Sequence, residues 1–254
     1  MSNFKQQSNK PKIDKKGNNK TIVKLLIAIV LVAVIVVSII GIMQIIRLKK
    51  NINSIQSAEV GNFVFFGKYE QDNNFFNGKE DIEWLILEKK DDKALLISKY
   101  ALDARAYHTK HERTTWEECT LRTWLNGSFY RRAFNFNEMA RITTIVVSAD
   151  KNPNFSEVRQ GNDVNNKIFL LSCEEVNLYK DLLANCTCDS TTYARKTRKL
   201  PSTNATNFNC EWWSRTMGYD GTDACIVDWS WYNNHGRDAE MIKGVRPTLW
   251  IHFV

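Results

Sequence analysis

Nineteen consecutive residues from Leu25 to Met43 carry no charge, and this run constrains the chain more than any other feature. At the rise of an α-helix it spans about 28 Å, close to the hydrocarbon thickness of a bilayer. Lys5, Lys10, Lys12, Lys15, Lys16, Lys20 and Lys24 precede it, opposed by Asp14 alone. Arg47, Lys49 and Lys50 follow, and the next Lys or Arg is Lys68. The excess of positive flanking charge before the run predicts a cytoplasmic N-terminus and an extracytoplasmic C-terminus. A secretory signal is the rival reading. Its apolar core would be shorter, and Gln44-Ile45-Ile46-Arg47 offers no small-x-small cleavage site. The organisation expected is a disordered basic cytoplasmic tail (1–21), a transmembrane helix (22–46), a polar linker (47–59) and one extracytoplasmic domain (60–254).

The net charge of +7 would suggest nucleic acid as a partner, but its distribution argues against that. Residues 1–50 hold ten Lys/Arg against one acid, and residues 51–254 hold twenty-five against twenty-seven. The basic excess therefore belongs to the tail, where it suits anionic lipid. The domain lacks the basic field that a phosphate backbone requires. All eight tryptophans lie in the domain, which is large enough for one packed core. All six cysteines lie there too. Outside the membrane they permit disulfides, and they serve equally as small buried side chains.

Gly61–Tyr69 reads as a strand. Ile82–Leu87 and Ala94–Ser98 flank a charged turn and read as a hairpin. Thr115-Trp116-Glu117-Glu118 is a capping box that would open a helix closing near Asn126-Gly127. Ile142–Val147 and Ile168–Leu171 read as strands, the second running into another capping box, Ser172-Cys173-Glu174-Glu175. Residues 181–201 read mostly as loop, with room for a short helix. Glu211–Thr216, Ala224–Trp229 and Val245–Phe253 complete the strands, and Pro247 puts the last at an edge or a bulge. The pattern predicts an α+β domain, a mostly antiparallel sheet with a few short helices, preceded by one transmembrane helix.

Several segments recur together in one order: Ile82-Glu83-Trp84, Leu95–Asp103, Thr115-Trp116 with Leu121–Asn126, Phe169–Ser172, Trp212–Thr216 and Gly244-Val245-Arg246-Pro247. On these the domain resembles an uncharacterised bacterial family, domain of unknown function 6273, frequent in Firmicutes. The resemblance covers nearly all of residues 60–252. The family more often has Leu where this chain has Ser214. It implies a secreted or membrane-anchored protein and supplies no catalytic residues. The late Trp-Trp-x-Arg and Gly-Val-Arg-Pro strands are also similar to the ending of C-type-lectin-like folds, as in formylglycine-generating sulfatase-modifying enzymes. This implies a lectin-like fold and says little about activity.

Five groups of residues could carry chemistry. Arg122, Arg215 and Arg246 sit beside apolar residues. They form either a basic ligand cluster or a structural network, with Glu83 or another carboxylate satisfying them and Trp84 or Trp213 stacked on them. The second is favoured, because buried guanidinium groups require such partners. His108-x-x-His111 with Glu112 offers metal ligands or a polar turn. Asp220-Gly221-Thr222-Asp223, with Asp228, Asn233, Asn234, Asp238 and Glu240, is rich in oxygen ligands, and calcium is the cofactor such a loop suggests. Trp229, Trp231 and Tyr232 flank that loop and suit a carbohydrate face, or else belong to the core. The candidate ligand-binding set is therefore Trp229, Trp231, Tyr232, Asn233, Asn234, Asp238 and Glu240. Cys210 and Cys225 are the nearest candidates for a formylglycine-type enzyme, although their spacing departs from that pattern. The function expected is a binding or interaction module at the cell surface for carbohydrate, peptide or protein. The alternatives are such an enzyme or a structural envelope component.

Overall fold

The computed structural model describes residues 15–184, 188–200, 209–228 and 231–253. The chain divides into two compact units, residues 1–47 and 48–254. Helix α1 runs from Lys15 to Ser57. In the first unit its large apolar side chains from Ile22 to Ile46 are all exposed. Among the described residues, this is one helix long and apolar enough to cross a membrane. Residues 15–21 fall in the tail for which the sequence predicts disorder, and they are helical.

The second unit begins with the last turns of α1. The sequence predicts a linker over residues 47–59, yet the helix continues to Ser57. Leu48, Ile52 and Ile55 recur at helical spacing and are buried in the core, while Ser54 and Gln56 face solvent. Lys89 Nζ donates to the carbonyls of Gln56 at 2.6 Å and Ala58 at 2.8 Å. It thus places a cation at the helix C-terminus.

Then follow β1 (Phe63–Tyr69), β2 (Glu80–Lys90), β3 (Lys93–Ser98) and β4 (Asp103–Arg105). The helical stretch is α2 (Thr120–Trp124), a π-turn over Leu125–Phe129, α3 (Tyr130–Ala133) and α4 (Phe136–Met139). Next come β5 (Ile145–Val147), β6 (Val164–Asn166), α5 (Cys173–Leu178), α6 (Lys180–Ala184) and α7 (Thr192–Lys196). The chain ends with β7 (Trp212–Met217), β8 (Asp223–Asp228), β9 (Trp231–Asp238), β10 (Lys243–Val245) and β11 (Thr248–His252). The strands form a four-stranded sheet β1-β2-β3-β11, a five-stranded sheet β4-β10-β7-β8-β9 and the pair β5-β6. Every pairing of these strands is antiparallel except β10 with β7. This is the expected α+β class.

Local chemistry explains the elements. Gly67 has φ +71°, and a Cβ there would lie 2.6 Å from the Phe134 ring. Only glycine fits the irregularity in β1 at this point. β7 is buried along its whole length because it lies inside the larger sheet and is covered on both faces. Trp213 is fully buried and packs edge-on to Tyr107 at 5.7 Å. Its indole N–H donates to the Arg105 carbonyl at 2.8 Å, as a buried indole requires. The last expected strand is two strands. Pro247 breaks it, as a residue without an N–H would, and the chain passes from β10 in one sheet to edge strand β11 in the other. Arg246 Nε donates to the Ser98 carbonyl at 2.7 Å, and Ser98 N donates to the Pro247 carbonyl at 2.9 Å.

Three other expectations are corrected. Thr115 does not cap a helix. Glu118 turns outward to Arg159 at 3.0 Å. The N-cap is Cys119, whose Sγ accepts from Arg122 N at 3.3 Å. A thiol here does the work usually given to a hydroxyl or carboxylate. The helical path then passes through Asn126-Gly127 to Ala133. Ile168–Leu171 is not a strand but a single bridge, in which Phe169 exchanges backbone bonds with Thr248 of β11 at 3.0 and 2.8 Å, and side chains take backbone groups on either side of it. Asn126 binds Lys167 N at 2.9 Å, Ile168 N at 3.1 Å and the Ile168 carbonyl at 2.8 Å. Arg215 takes the Leu170 carbonyl at 3.0 Å, so these groups are satisfied without a ladder. Much of the stretch Trp229–Glu240, expected to be a loop, is edge strand β9. Edge pairing with β8 runs through the backbone and does not require apolar alternation. The Ser172 capping box is present as expected, with Glu175 as its reciprocal partner.

Candidate functional site

Three segments converge at the β7–β8 turn. Asp220 Oδ1 accepts from Thr222 N at 2.8 Å and from Thr222 Oγ1 at 2.7 Å, a local turn closure. These bonds hold the Asp220 carboxyl below its ordinary range, with Arg113 adding to the effect. Residues 108–115 are anchored where Thr114 N meets the Gly221 carbonyl at 3.0 Å and His108 N meets the Ala239 carbonyl at 3.0 Å. Residues 152–160 are tied to β7. Asn152 Nδ2 donates to the Met217 carbonyl at 2.9 Å, and Met217 N donates to Gln160 Oε1 at 2.7 Å.

Between these segments lies a half-open groove of about 870 Å³, lined by Arg113, Thr114, Thr115, Phe155, Val158, Arg159, Tyr219 and Asp220 among others. Phe155 meets Tyr219 edge-on at 5.3 Å and His235 at 4.8 Å, and Tyr219 stacks on His235 at 6.0 Å. Tyr219 is 57% exposed, so this aromatic group is open to a ligand. Thr115 Oγ1, on the wall, is buried without a hydrogen-bond partner.

Beside the groove, His111 Nδ1 lies 3.4 Å from Glu240 Oε2 and 3.8 Å from Asp238 Oδ2. The three residues are close enough to share an ion. An imidazole with two carboxylates suits a borderline metal better than calcium, which takes oxygen. His108 does not join this group. It is buried, its Nδ1 accepts from Thr120 N at 3.3 Å, and its Nε2 faces Glu112 at 3.1 Å. That bond, with Lys110 nearby, holds the Glu112 carboxyl low.

The expected ligand-binding set is divided by β9. Trp229 lies outside the described residues, as do the side chains of Trp231, Tyr232, Asn233 and Asn234. The backbone of residues 231–234 forms the first half of β9, and Asp238 ends that strand. Trp231 and Asp238 therefore stand roughly 20 Å apart along the strand. Asp238 and Glu240 join His111 instead.

The four residues expected to form a polar network lie in separate sets. Arg215 is buried and bonds Asp150 Oδ2 at 2.6 Å, both Glu175 oxygens and the Ser148 and Leu170 carbonyls. Arg122 binds Asn166 Oδ1 at 2.8 Å and the Glu117 and Asn165 carbonyls. Arg246 lies over the Trp212 ring at 5.2 Å, within cation–π range. Glu83 pairs with Lys99 at 2.7 Å.

Cys119, Cys173, Cys188, Cys210 and Cys225 are buried free thiols. Cys225 neighbours Cys173, and Cys210 neighbours Cys188, whose carbonyl accepts from its thiol at 3.6 Å; in each pair the neighbouring thiol and burial raise the pKa of Cys225 or Cys210. Cys210 and Cys225 thus have different partners. Arg113, Phe155, Tyr219 and His235 come from distant segments, and no local spacing in the sequence connects them.

The fold is an α+β domain of mostly antiparallel sheets, with the groove set beside its β7–β8 turn. The chain belongs to the family described as Domain of unknown function (DUF6273), whose model matches residues 91–253. The match begins in the β2–β3 turn, so it takes in the groove and leaves out β1 and β2. No curated protein matches the chain, and no solved structure does.

Proposed function

We propose that α1 anchors the chain in a bacterial cell membrane with its N-terminus in the cytoplasm. The second unit then acts as a binding module on the outer face. The observation that carries this reading is the groove. It combines an exposed aromatic group, two guanidinium groups and an unsatisfied hydroxyl in a space suited to a small polar oligomer. Arg113 makes no ion pair within 4.0 Å among the described residues, and it stands ready for an anionic group on a ligand. The ligand class that fits is a glycan or peptide carrying a carboxylate: Tyr219 offers a stacking surface and Arg113 a charge. A lectin-like ending of the fold would be in keeping with a sugar. The enzyme alternative is less favoured, because Cys210 and Cys225 are buried beside other cysteines.

The test is binding of the full chain, in detergent, to an array of acidic and neutral glycans and peptides. Tyr219→Ala and Arg113→Ala should each weaken retention of acidic members at least tenfold and leave the melting temperature within about 2 °C, as surface changes do. Equal retention by wild type and both variants would refute the groove as the seat.

A further inference from the structure

The loop joining β1 to β2 brings three carboxylates together. One oxygen each from Glu70, Asp72 and Glu80 lies within 4.8 Å of the other two. That span matches the diameter of a calcium shell, whose oxygens stand about 2.3–2.6 Å from the ion. No Lys, Arg or His comes within 4.0 Å of any of the three among the described residues. Lys68 is engaged with Asp81 at 3.4 Å, and Lys79 donates to the Arg132 carbonyl at 2.6 Å.

A second observation separates this loop from an ordinary acidic turn. Glu70 is only 8% exposed, and its Oε1 is sealed from solvent with no hydrogen-bond partner. A buried carboxylate oxygen without donor or cation is costly to maintain. The other two carboxylates are already fixed. Asp72 accepts from Asn74 N at 2.7 Å and Asn77 Nδ2 at 2.6 Å, and Glu80 Oε2 accepts from Gln71 N at 2.6 Å. The group thus lacks positive charge and has its ligands already held in place.

We propose that the β1–β2 loop is a calcium site in which Glu70, Asp72 and Glu80 are the carboxylate ligands. The donors are all oxygen, which favours a hard cation over zinc or copper. Loop carbonyls and water would complete the shell. The site is independent of the groove and of the His111 cluster, and it stands or falls without them.

The experiment is terbium luminescence on the full chain in detergent after chelator treatment, with excitation through the aromatic side chains. Tyr69 adjoins the loop and would sensitise the ion. Wild type should show saturable emission that calcium displaces at concentrations at least tenfold lower than magnesium. Glu70→Gln and Asp72→Asn should each weaken terbium binding at least tenfold, and exposed Glu174→Gln should not change it. Should Glu70→Gln fail to fold, Asp72→Asn and Glu80→Gln carry the same test from the open side of the loop. No saturable emission from wild type would overturn the proposal. So would emission that survives both loop variants, or that disappears only with His111→Ala.

Discussion

Replacing Arg215 by Ala should cost the second unit about 3–4 kcal/mol, the scale set by breaking a buried ion pair. Its side chain is 2% exposed and bridges Asp150 and Glu175, which are 18% and 30% exposed. Removing one member of a fully buried ion pair costs about 3–5 kcal/mol, because the charge left behind has no partner. Here two carboxylates are left facing each other, and the Leu170 carbonyl loses its donor at 3.0 Å. The partial exposure of both carboxylates lets water return, which places the loss toward the lower part of that range. For a unit of this size the melting temperature should fall by roughly 10 °C. Circular dichroism or scanning fluorimetry on the full chain in detergent measures this. Arg215→Lys should recover part of the loss, since one ammonium cannot serve two carboxylates and two carbonyls in the plane of a guanidinium. Adding Glu175→Gln to Arg215→Ala should cost less than the sum of the single changes, because it removes the uncompensated charge. A loss for Arg215→Ala below about 1 kcal/mol, or strict additivity in the double variant, would refute the structural assignment of this arginine.

Other outcomes follow from the same physics. The five described thiols should resist alkylation in the native state. Burial pushes the Cys119 thiol up to about 12 and leaves little thiolate near neutrality; rapid labelling of Cys119 at about pH 8 would contradict this. Under oxidising conditions, peptide mapping should find Cys188 bridged to Cys210 and Cys173 to Cys225, and never Cys210 to Cys225. Protease added to intact protoplasts should digest the second unit and spare the basic tail, and digestion only after lysis would reverse the orientation. In chelator, the raised pKa of Glu70 contributes stability fully present below its ordinary value of 4.5 and lost as pH rises through the folded value. Metal-free Glu70→Gln should therefore be at least as stable as wild type near neutral pH, and this advantage should vanish on acidification. A melt that is lower for the variant at neutrality would contradict it.

Elements that follow from side-chain pattern alone are legible in the sequence. The apolar run, the β2–β3 hairpin, the Ser172 cap and strands β7 and β8 are of this kind. The illegible parts depend on where backbone groups find partners. Ile168–Leu171 has the composition of a strand, but Asn126, far upstream in the chain, takes the Lys167 and Ile168 amides and the Ile168 carbonyl, so pairing is confined to the Phe169–Thr248 bridge. β9 has the composition of a loop, and it is a strand because β8 offers a free edge. Gly236 permits that pairing: its φ is +83°, and a Cβ there would lie 2.5 Å from the Ala224 carbonyl oxygen. A side chain at this position would have to displace backbone, so glycine is required. The groove is hidden for a similar reason. Arg113, Phe155 and Tyr219 have no mutual spacing until residues 108–115 and 152–160 are tied to the β7–β8 turn.

The same hydrogen bonds separate the segments that hold the scaffold together from those that line the groove. Trp84 donates to the Phe66 carbonyl at 2.7 Å, Arg246 to the Ser98 carbonyl at 2.7 Å and Asn126 to the Ile168 carbonyl at 2.8 Å. Arg215 joins β7 to the cap of α5 through Glu175. Each pair joins separate stretches of the chain and satisfies a polar group whose burial would otherwise be costly. These residue types are therefore what the scaffold requires, whatever it binds. Arg113, Phe155 and Tyr219 lie outside all of those segments, on turns that the scaffold holds rigid from beneath. Replacing their side chains breaks no buried hydrogen bond, which suits the ligand-choosing role proposed for them. A chain with the same buried pairs and different residues at these three positions should melt alike and bind differently. Exchanging the three between two such chains should move the ligand preference with them.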